Sequence, residues 1–288
     1  MPEQPDEVTP AFLRGWALPE AGDSKYDRGR ILVIGGAAQT PGAVNLSGLA
    51  ALRVGAGHLT MAVAASAAIA LAVATPEAGV VGLPENRQGS VLGGDLSAIS
   101  DDLSSADVVV VGPGLDDAGE TAILLENVVP ELDDQAWLVV DAYALGALPG
   151  LHEVIGAMRG RMVLTPNGGE VDRLLDRESD DAVADVVEIA EQYGAVVSSQ
   201  GIIADPAGAR WHVGTGHGGL ATSGSGDVLV GALAGLLGRG AEGAQAACWA
   251  TYAHAAAGDR LAARVGRLGF LAREILLELP AVLVELES

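Results

Sequence analysis

A chain of 288 residues with 49% hydrophobic residues, only 3% aromatics and 40 glycines has ample material for a core of Ala, Val and Leu, so it is globular rather than disordered. Its formal charge of −22 argues against nucleic acid and anionic membranes as partners, because both demand basic surface. Lys25 is the one lysine, which excludes a Walker-type loop and argues against Schiff-base chemistry. Bound phosphates would have to be held by backbone N–H groups and helix ends.

Cys248 is the sole cysteine, so neither a disulfide nor a thiolate metal site is expected. The histidines, His58, His152, His212, His217 and His254, show no ligand-like spacing and read as structural or exposed. The N-terminal "MPEQPDEVTP" lacks an apolar signal region. The most apolar run, Met61 to Thr75, is too short to span a bilayer. A cytoplasmic protein is expected.

Residues 1–28 read as a polar leader, and residues 29–288 as one domain. "ILVIGG" (Ile31 to Gly36) predicts a buried strand, followed by a helix over "AVNLSGLAALRVGAG" that glycines close. "HLTMAV" predicts a strand and "SAAIALAVA" a helix. The continuous β-branched runs "DVVVVGPG" and "AWLVVDA" fit central parallel strands covered on both faces. "RMVLTPN" gives another strand, "DDAVADVVEIAEQYG" a helix, and "AVVSSQ" and "GIIADPAGARWHV" two β runs, the second turning at Asp205 to Gly208. From Asp227 onward the chain reads as helical. Together these predict an α/β protein, a single-domain three-layer αβα sandwich around a mainly parallel sheet.

In such sheets ligands bind beyond the carboxyl ends of the strands. The unusual residues fall at those ends: Gly35-Gly36, Gly112-Pro113-Gly114, Asp141 and Thr165-Pro166-Asn167. A Rossmann dinucleotide site does not fit, because "GGAAQTPGA" and "GPGLDD" both miss G-x-G-x-x-G. The stretch "GLATSGSGDVLVGALAGLLGRG" places Gly224, Ser225 and Gly226 as an anion-binding loop before a long apolar helix. Asp227 follows either as a helix cap or as part of that site. The glycines favour a site over a cap, since a cap needs none around it.

Taken together, five stretches resemble the ADP-dependent NAD(P)H-hydrate dehydratases, a branch of the ribokinase-like superfamily. They are "VIGGAAQTPGAVNLSGLAALRVGAGHLTMAV", "VVVVGPGLDD", "LVVDAYAL", "VLTPNGGEVDRLL" and "GLATSGSGDVLVGALAGLL", in that order over about Gly29 to Pro280. The resemblance implies hydrate-binding contacts at Ala43, Gly114, Asn167 and Asp227. It implies adenine-nucleotide contacts at Gly226 and at Gln200, which stands where the family has a lysine; Gly224 and Ser225 complete the phosphate loop. Two further departures are Tyr143 in place of an aspartate, and Asn167 in place of a histidine. With "NGGE", Asn167 and Glu170 resemble instead the Asn-x-x-Glu that sugar and vitamin kinases associate with magnesium.

The chemistry so implied is phosphorylation of the substrate hydroxyl, making it a leaving group that the ring nitrogen expels. The substrate is hydrated NADH or NADPH, the donor ADP with ATP as the alternative, and the products NAD(P)H, AMP and phosphate. Asp227 is the general base, the glycine loop stabilises the transferring phosphoryl, and Mg²⁺ bridges the nucleotide phosphates with help from Glu170. A solvated residue at a helix start is an equal reading of Glu170. A homo-oligomer is expected, a tetramer by the family resemblance, and any epimerase partner as a separate chain. The alternatives are a small-molecule kinase for a sugar or vitamin alcohol, and a non-catalytic nucleotide-binding relative.

Overall fold

Strands whose every residue is apolar can be buried on both faces, and three of them, Val108–Val111, Trp137–Val140 and Met162–Leu164, lie side by side at the centre of the sheet in a computed structural model that describes residues 4–20 and 22–288. In chain order the strands are β1 (Asp6–Glu7), β2 (Arg30–Ile34), β3 (His58–Ala64), β4 (Gly79–Leu83), β5 (Val108–Val111), β6 (Trp137–Val140), β7 (Met162–Leu164), β8 (Val196–Ser199), β9 (Ile202–Ala204) and β10 (Arg210–His212). They make one sheet in the order β1-β10-β9-β8-β7-β6-β5-β2-β3-β4. All neighbours pair in parallel except that β9 runs antiparallel to both β8 and β10.

The period of two along each strand sorts its side chains between two cores. Ile31, Val33, Leu59, Met61, Val108 and Val110 join one face, which α2 (Pro41–Arg53), α9 (Ser225–Gly238), α10 (Gly243–Arg264) and α11 (Ala272–Glu287) cover. Leu32, Ile34, Val109, Val111, Leu138 and Val140 join the other, under α5 (Ala118–Val128), α7 (Gly168–Leu175) and α8 (Ala182–Tyr193). The smaller α3 (Ala65–Ala74), α4 (Ser100–Ser105) and α6 (His152–Ile155) complete these layers, giving the expected αβα sandwich. Backbone contact between α2 and α9 explains part of the glycine content: a side chain at Gly231 would run into the Ser47 carbonyl, and one at Gly235 would come 2.6 Å from that of Ala51.

The described part of residues 1–28 is built into the domain rather than leading up to it; Met1–Glu3 and Ala21 lie outside the described residues. β1 extends the sheet beyond β10, and Val8 and Leu13 are buried in the first core. Helix α1 (Pro10–Gly15) starts with Pro10 behind a Thr9 cap, whose hydroxyl accepts the Phe12 N–H at 3.1 Å. After it, the Trp16 carbonyl accepts hydrogen bonds from Gln245 Nε2 and Trp249 Nε1. A count of polar residues hides this docking, because two buried aliphatics and one cap suffice to make it.

Candidate functional site

The chain runs from β2 to β3 and β4 on one side, then crosses back to add β5 on the other side of β2. This reversal opens a crevice at the carboxyl ends of β2 and β5. The two following loops are stitched together. Gly36 N–H donates to the Pro113 carbonyl and Ala37 N–H to that of Gly114, both at 2.8 Å. Thr40 Oγ1 also donates to the Gly114 carbonyl, at 2.7 Å, instead of capping α2. Gly114 has φ +71°, and a Cβ on it would sit 3.1 Å from that of Ala43, in the first turn of α2. Ala43 and Gly114 therefore share one wall.

The ends of β6 and β7 supply the carboxylates. Asp141 is buried, and Thr165 Oγ1 donates to its Oδ1 at 2.5 Å. Burial pushes the Asp141 carboxyl up to about 7 against that hydrogen bond, and the nearby charges of Asp227 and Glu170 raise it further. Ala142 next to it adopts φ +46°, a left-handed backbone that costs a non-glycine residue about 1–2 kcal/mol. Its N–H is a donor to the Asp141 carboxyl. Asn167 and Glu170 form a capping box at the start of α7: Asn167 Oδ1 accepts the Glu170 N–H at 3.1 Å, and Glu170 Oε2 accepts the Asn167 N–H at 2.8 Å. The Asn-x-x-Glu pattern thus has a structural role. Glu170 is half-buried and its pKa is raised, chiefly by that burial.

Helix α9 begins two residues earlier than the sequence pattern suggests, so Ser225 and Gly226 lie in its first turn and Gly224 is the cap residue. Gly224 has φ +88°, a conformation that favours glycine. Gly226 needs none: a Cβ there meets open space. Ser225 turns inward. Its N–H donates to the Thr222 carbonyl, and its hydroxyl meets Nε2 of the buried His254 at 2.9 Å. Burial lowers the His254 pKa to about 4, so this histidine is neutral. Of the three amides expected to hold an anion, that of Ser225 is taken. Besides that of Gly224, the amides of Gly226 and Asp227 in the first turn of α9 have no hydrogen-bond partner among the described residues.

Asp227 is the third residue of α9, so it is not the cap. Its carboxylate makes no hydrogen bond among the described residues, and burial raises its pKa to about 6. Asp141 responds to the Asp227 charge, which puts the two side chains in one electrostatic neighbourhood.

Gln200 and Gly201 form the two-residue turn between β8 and β9, with φ +50° and +84°, the pattern of a type I′ hairpin. Gln200 Nε2 lies 2.8 Å from where a Gly168 Cβ would stand, so this turn touches the Asn167 loop. A cavity of about 570 Å³ adjoins it, lined among others by Ser198, Gln200, His217, Thr251 and His254. A second, of about 560 Å³, lies over the ends of β5 to β7 and includes Gly114, Leu115, Tyr143, Glu170 and Arg173. Among the described residues no three His, Cys, Asp or Glu side chains converge on a metal position. None of their helices is long and apolar enough to cross a membrane.

Asp227, Asn167, Glu170, Ala43, Gly114 and Gln200 therefore all stand at the strands' carboxyl ends, with Ser225 behind them. The Thr165 bond to Asp141, the His254 support of Ser225 and the cavity position of Arg173 escape the sequence reading. A glutamate and an arginine three residues apart after a strand were a signal for the last.

Residues 31–281 match the family model described as NAD(P)H-hydrate dehydratase. An ADP-dependent (S)-NAD(P)H-hydrate dehydratase of Xanthomonas campestris is 44% identical over 285 residues, covering 96% of this chain and 95% of that protein. A bifunctional NAD(P)H-hydrate repair enzyme of Moorella thermoacetica is 38% identical over 98% of this chain, which spans 54% of that longer protein. Among solved structures, the ADP/ATP-dependent NAD(P)H-hydrate dehydratase of Bacillus subtilis, co-crystallised with ATP/Mg²⁺ and soaked with CoA, superimposes with a TM-score of 0.78. It is 25% identical, over 99% of this chain and 100% of that one. A ribokinase-like superfamily protein of Enterococcus faecalis gives 0.82 at 24% identity, over 98% and 97%, and shares the fold.

Proposed function

The chain belongs to the NAD(P)H-hydrate dehydratase family, and from that premise we propose that it returns hydrated NADH or NADPH to NAD(P)H at the expense of ADP, with ATP as the alternative donor. The observation that carries this reading is at the start of α9. A carboxylate without a hydrogen-bond partner, its pKa near 6, stands beside two free amides. Such a carboxylate is ionised at neutral pH yet basic enough to take a proton.

The substrate hydroxyl attacks the terminal phosphorus of ADP and its proton passes to Asp227, while the bond to AMP breaks. The Gly226 and Asp227 amides, at the positive end of α9, receive the phosphoryl oxygens. The ring nitrogen's lone pair then expels phosphate from the ring carbon, and loss of a proton from the adjacent carbon restores the dihydropyridine. Ala43, Gly114 and Asn167 line the hydrate's side of the site; Gln200 lies on the nucleotide's side. A magnesium ion carried in on the nucleotide would neutralise phosphate charge. With no converging ligand set among the described residues, the fit is to an ion held mostly by phosphate and water, with the Glu170 oxygen not used in the capping box as the candidate protein ligand.

A cytoplasmic homotetramer completes the proposal. Ile69 and Val73, 80% and 79% exposed on the uncharged outer face of α3, support association. The test is to mix the protein with hydrated NADH and either ADP or ATP and follow the return of NADH absorbance. No return with either donor, alongside phosphorylation of a sugar or vitamin alcohol in a parallel screen, would replace this reading with the kinase one.

A further inference from the structure

The cavity over β5 to β7 holds one cation among its lining side chains, Arg173. It stands on α7 one turn after Glu170. Its charge acts on Glu170 and opposes the burial that raises that residue's pKa. The two are not ion-paired, and the capping box shows why: Glu170 Oε2 is turned back to the Asn167 N–H. The arginines with carboxylate partners are Arg177, Arg239, Arg260 and Arg264. Arg173 has neither an ion pair nor a hydrogen bond among the described residues, so its guanidinium keeps all five donors.

A free guanidinium at this place answers an electrostatic problem. The chain carries a formal charge of −22, and Asp141, Glu170 and Asp227 gather at the site. A dinucleotide brings further negative charge. With the amides at the start of α9 assigned to the transferring phosphoryl, Arg173 is the cation that this cavity offers to the dinucleotide's own phosphates. A planar fork of donors matches two phosphate oxygens at once.

We propose that Arg173 binds a phosphate of the hydrated dinucleotide and so sets the affinity for that substrate; this rests on the dehydratase reading. The phosphate is either the diphosphate bridge, common to both hydrates, or the ribose phosphate found only in NADPH. Arg173→Gln and Arg173→Lys in the full chain distinguish them. KM would be measured for each hydrate at saturating ADP and for ADP at saturating hydrate, together with NADH and NADPH binding by fluorescence. For Arg173→Gln, KM should rise about tenfold or more with kcat changing far less, and dihydronucleotide binding should weaken in step. Arg173→Lys should recover part of the loss, since it keeps the charge but not the fork. A rise for both hydrates assigns the bridge, and a rise for the NADPH hydrate alone assigns the ribose phosphate. KM values for both hydrates within twofold of wild type, or a rise confined to ADP, would overturn the proposal. Wild-type protein that turns over neither hydrate would instead sink the dehydratase reading, and that arm is read first.

Discussion

Replacing Asp227 by asparagine separates its chemical role from its structural one. The burial that raises its pKa from 3.8 to about 6 means that the folded chain binds a proton there more tightly than the unfolded chain. This contribution to stability is fully present below pH 4 and is lost as pH rises toward 6. The loss is worth up to about 3 kcal/mol at neutral pH, and Asp227→Asn should escape it, because asparagine is never charged. In urea titrations the variant should match wild type near pH 4 and become the more stable of the two by pH 7, with most of the gap opening between those values. The carboxylate makes no hydrogen bond among the described residues, so its replacement should leave no partner stranded.

Activity should move the other way. Wild-type kcat/KM should rise with pH on an acid limb near 6, where Asp227 becomes able to accept the hydroxyl proton. Asp227→Asn should lower turnover by on the order of a hundredfold or more, the usual scale for losing a general base, with ADP affinity kept. A more stable variant with little activity is the signature of a residue placed for chemistry. Undiminished turnover of hydrated NADH by Asp227→Asn would refute both the dehydratase and the kinase mechanisms.

Gln200→Lys should tighten ADP binding several-fold in calorimetry, since a charge-assisted contact replaces a neutral one; unchanged or weaker binding would mean that Gln200 does not face the phosphates. Gly226→Val should fold normally, because its Cβ meets open space, yet lower ADP affinity at least about tenfold by crowding the free amides. Normal affinity there would refute the anion-site assignment. Gly224→Ala should cost about 1–2 kcal/mol of stability in urea denaturation, because the residue has φ +88° and the new Cβ would lie 2.5 Å from Leu46 Cδ1. Full stability would show that the turn relaxes.

The parts of the fold set by local apolar pattern were legible. The runs ending at Ile34, Val111, Val140 and Leu164 became the central parallel strands, because an uninterrupted apolar run needs cover on both faces. Weaker patterns were not: β4, "GVVGL", is an edge strand with two glycines and half-exposed valines, and the leader's docking depends on a handful of contacts to β10 and α10. At the candidate site, residue types and order pointed to loops that the fold brings together at the strands' carboxyl ends, since Gly224 and Gly114 require glycine for backbone reasons. Which amide is free was not legible. That depends on where α9 makes its first turn and on His254, 29 residues away, drawing Ser225 inward. Similarly, Asn167 and Glu170 matched a magnesium pattern while their side chains serve a capping box; one pattern can satisfy two physical demands.

The two aspartates, one buried and one half-buried, show why one of them can be the base. Asp141 has Thr165 and the Ala142 N–H as donors and is almost fully enclosed, so its carboxyl is a fixed wall of the site. Asp227 is half-buried, without a hydrogen-bond partner among the described residues, and next to the free amides. Their ionisation is linked as well. Burial raises Asp227 to about 6, and its negative charge adds to the burial that raises Asp141 to about 7, so ionising Asp227 disfavours ionising its neighbour. In a chain of charge −22 that linkage matters, because each extra carboxylate charge near the start of α9 opposes the phosphates that have to settle there. In the proposed mechanism, the deep burial of Asp141 and the partial exposure of Asp227 leave Asp227 as the accessible carboxylate for the proton, beside the amides of Gly226 and Asp227, unpaired among the described residues, that would receive the phosphoryl.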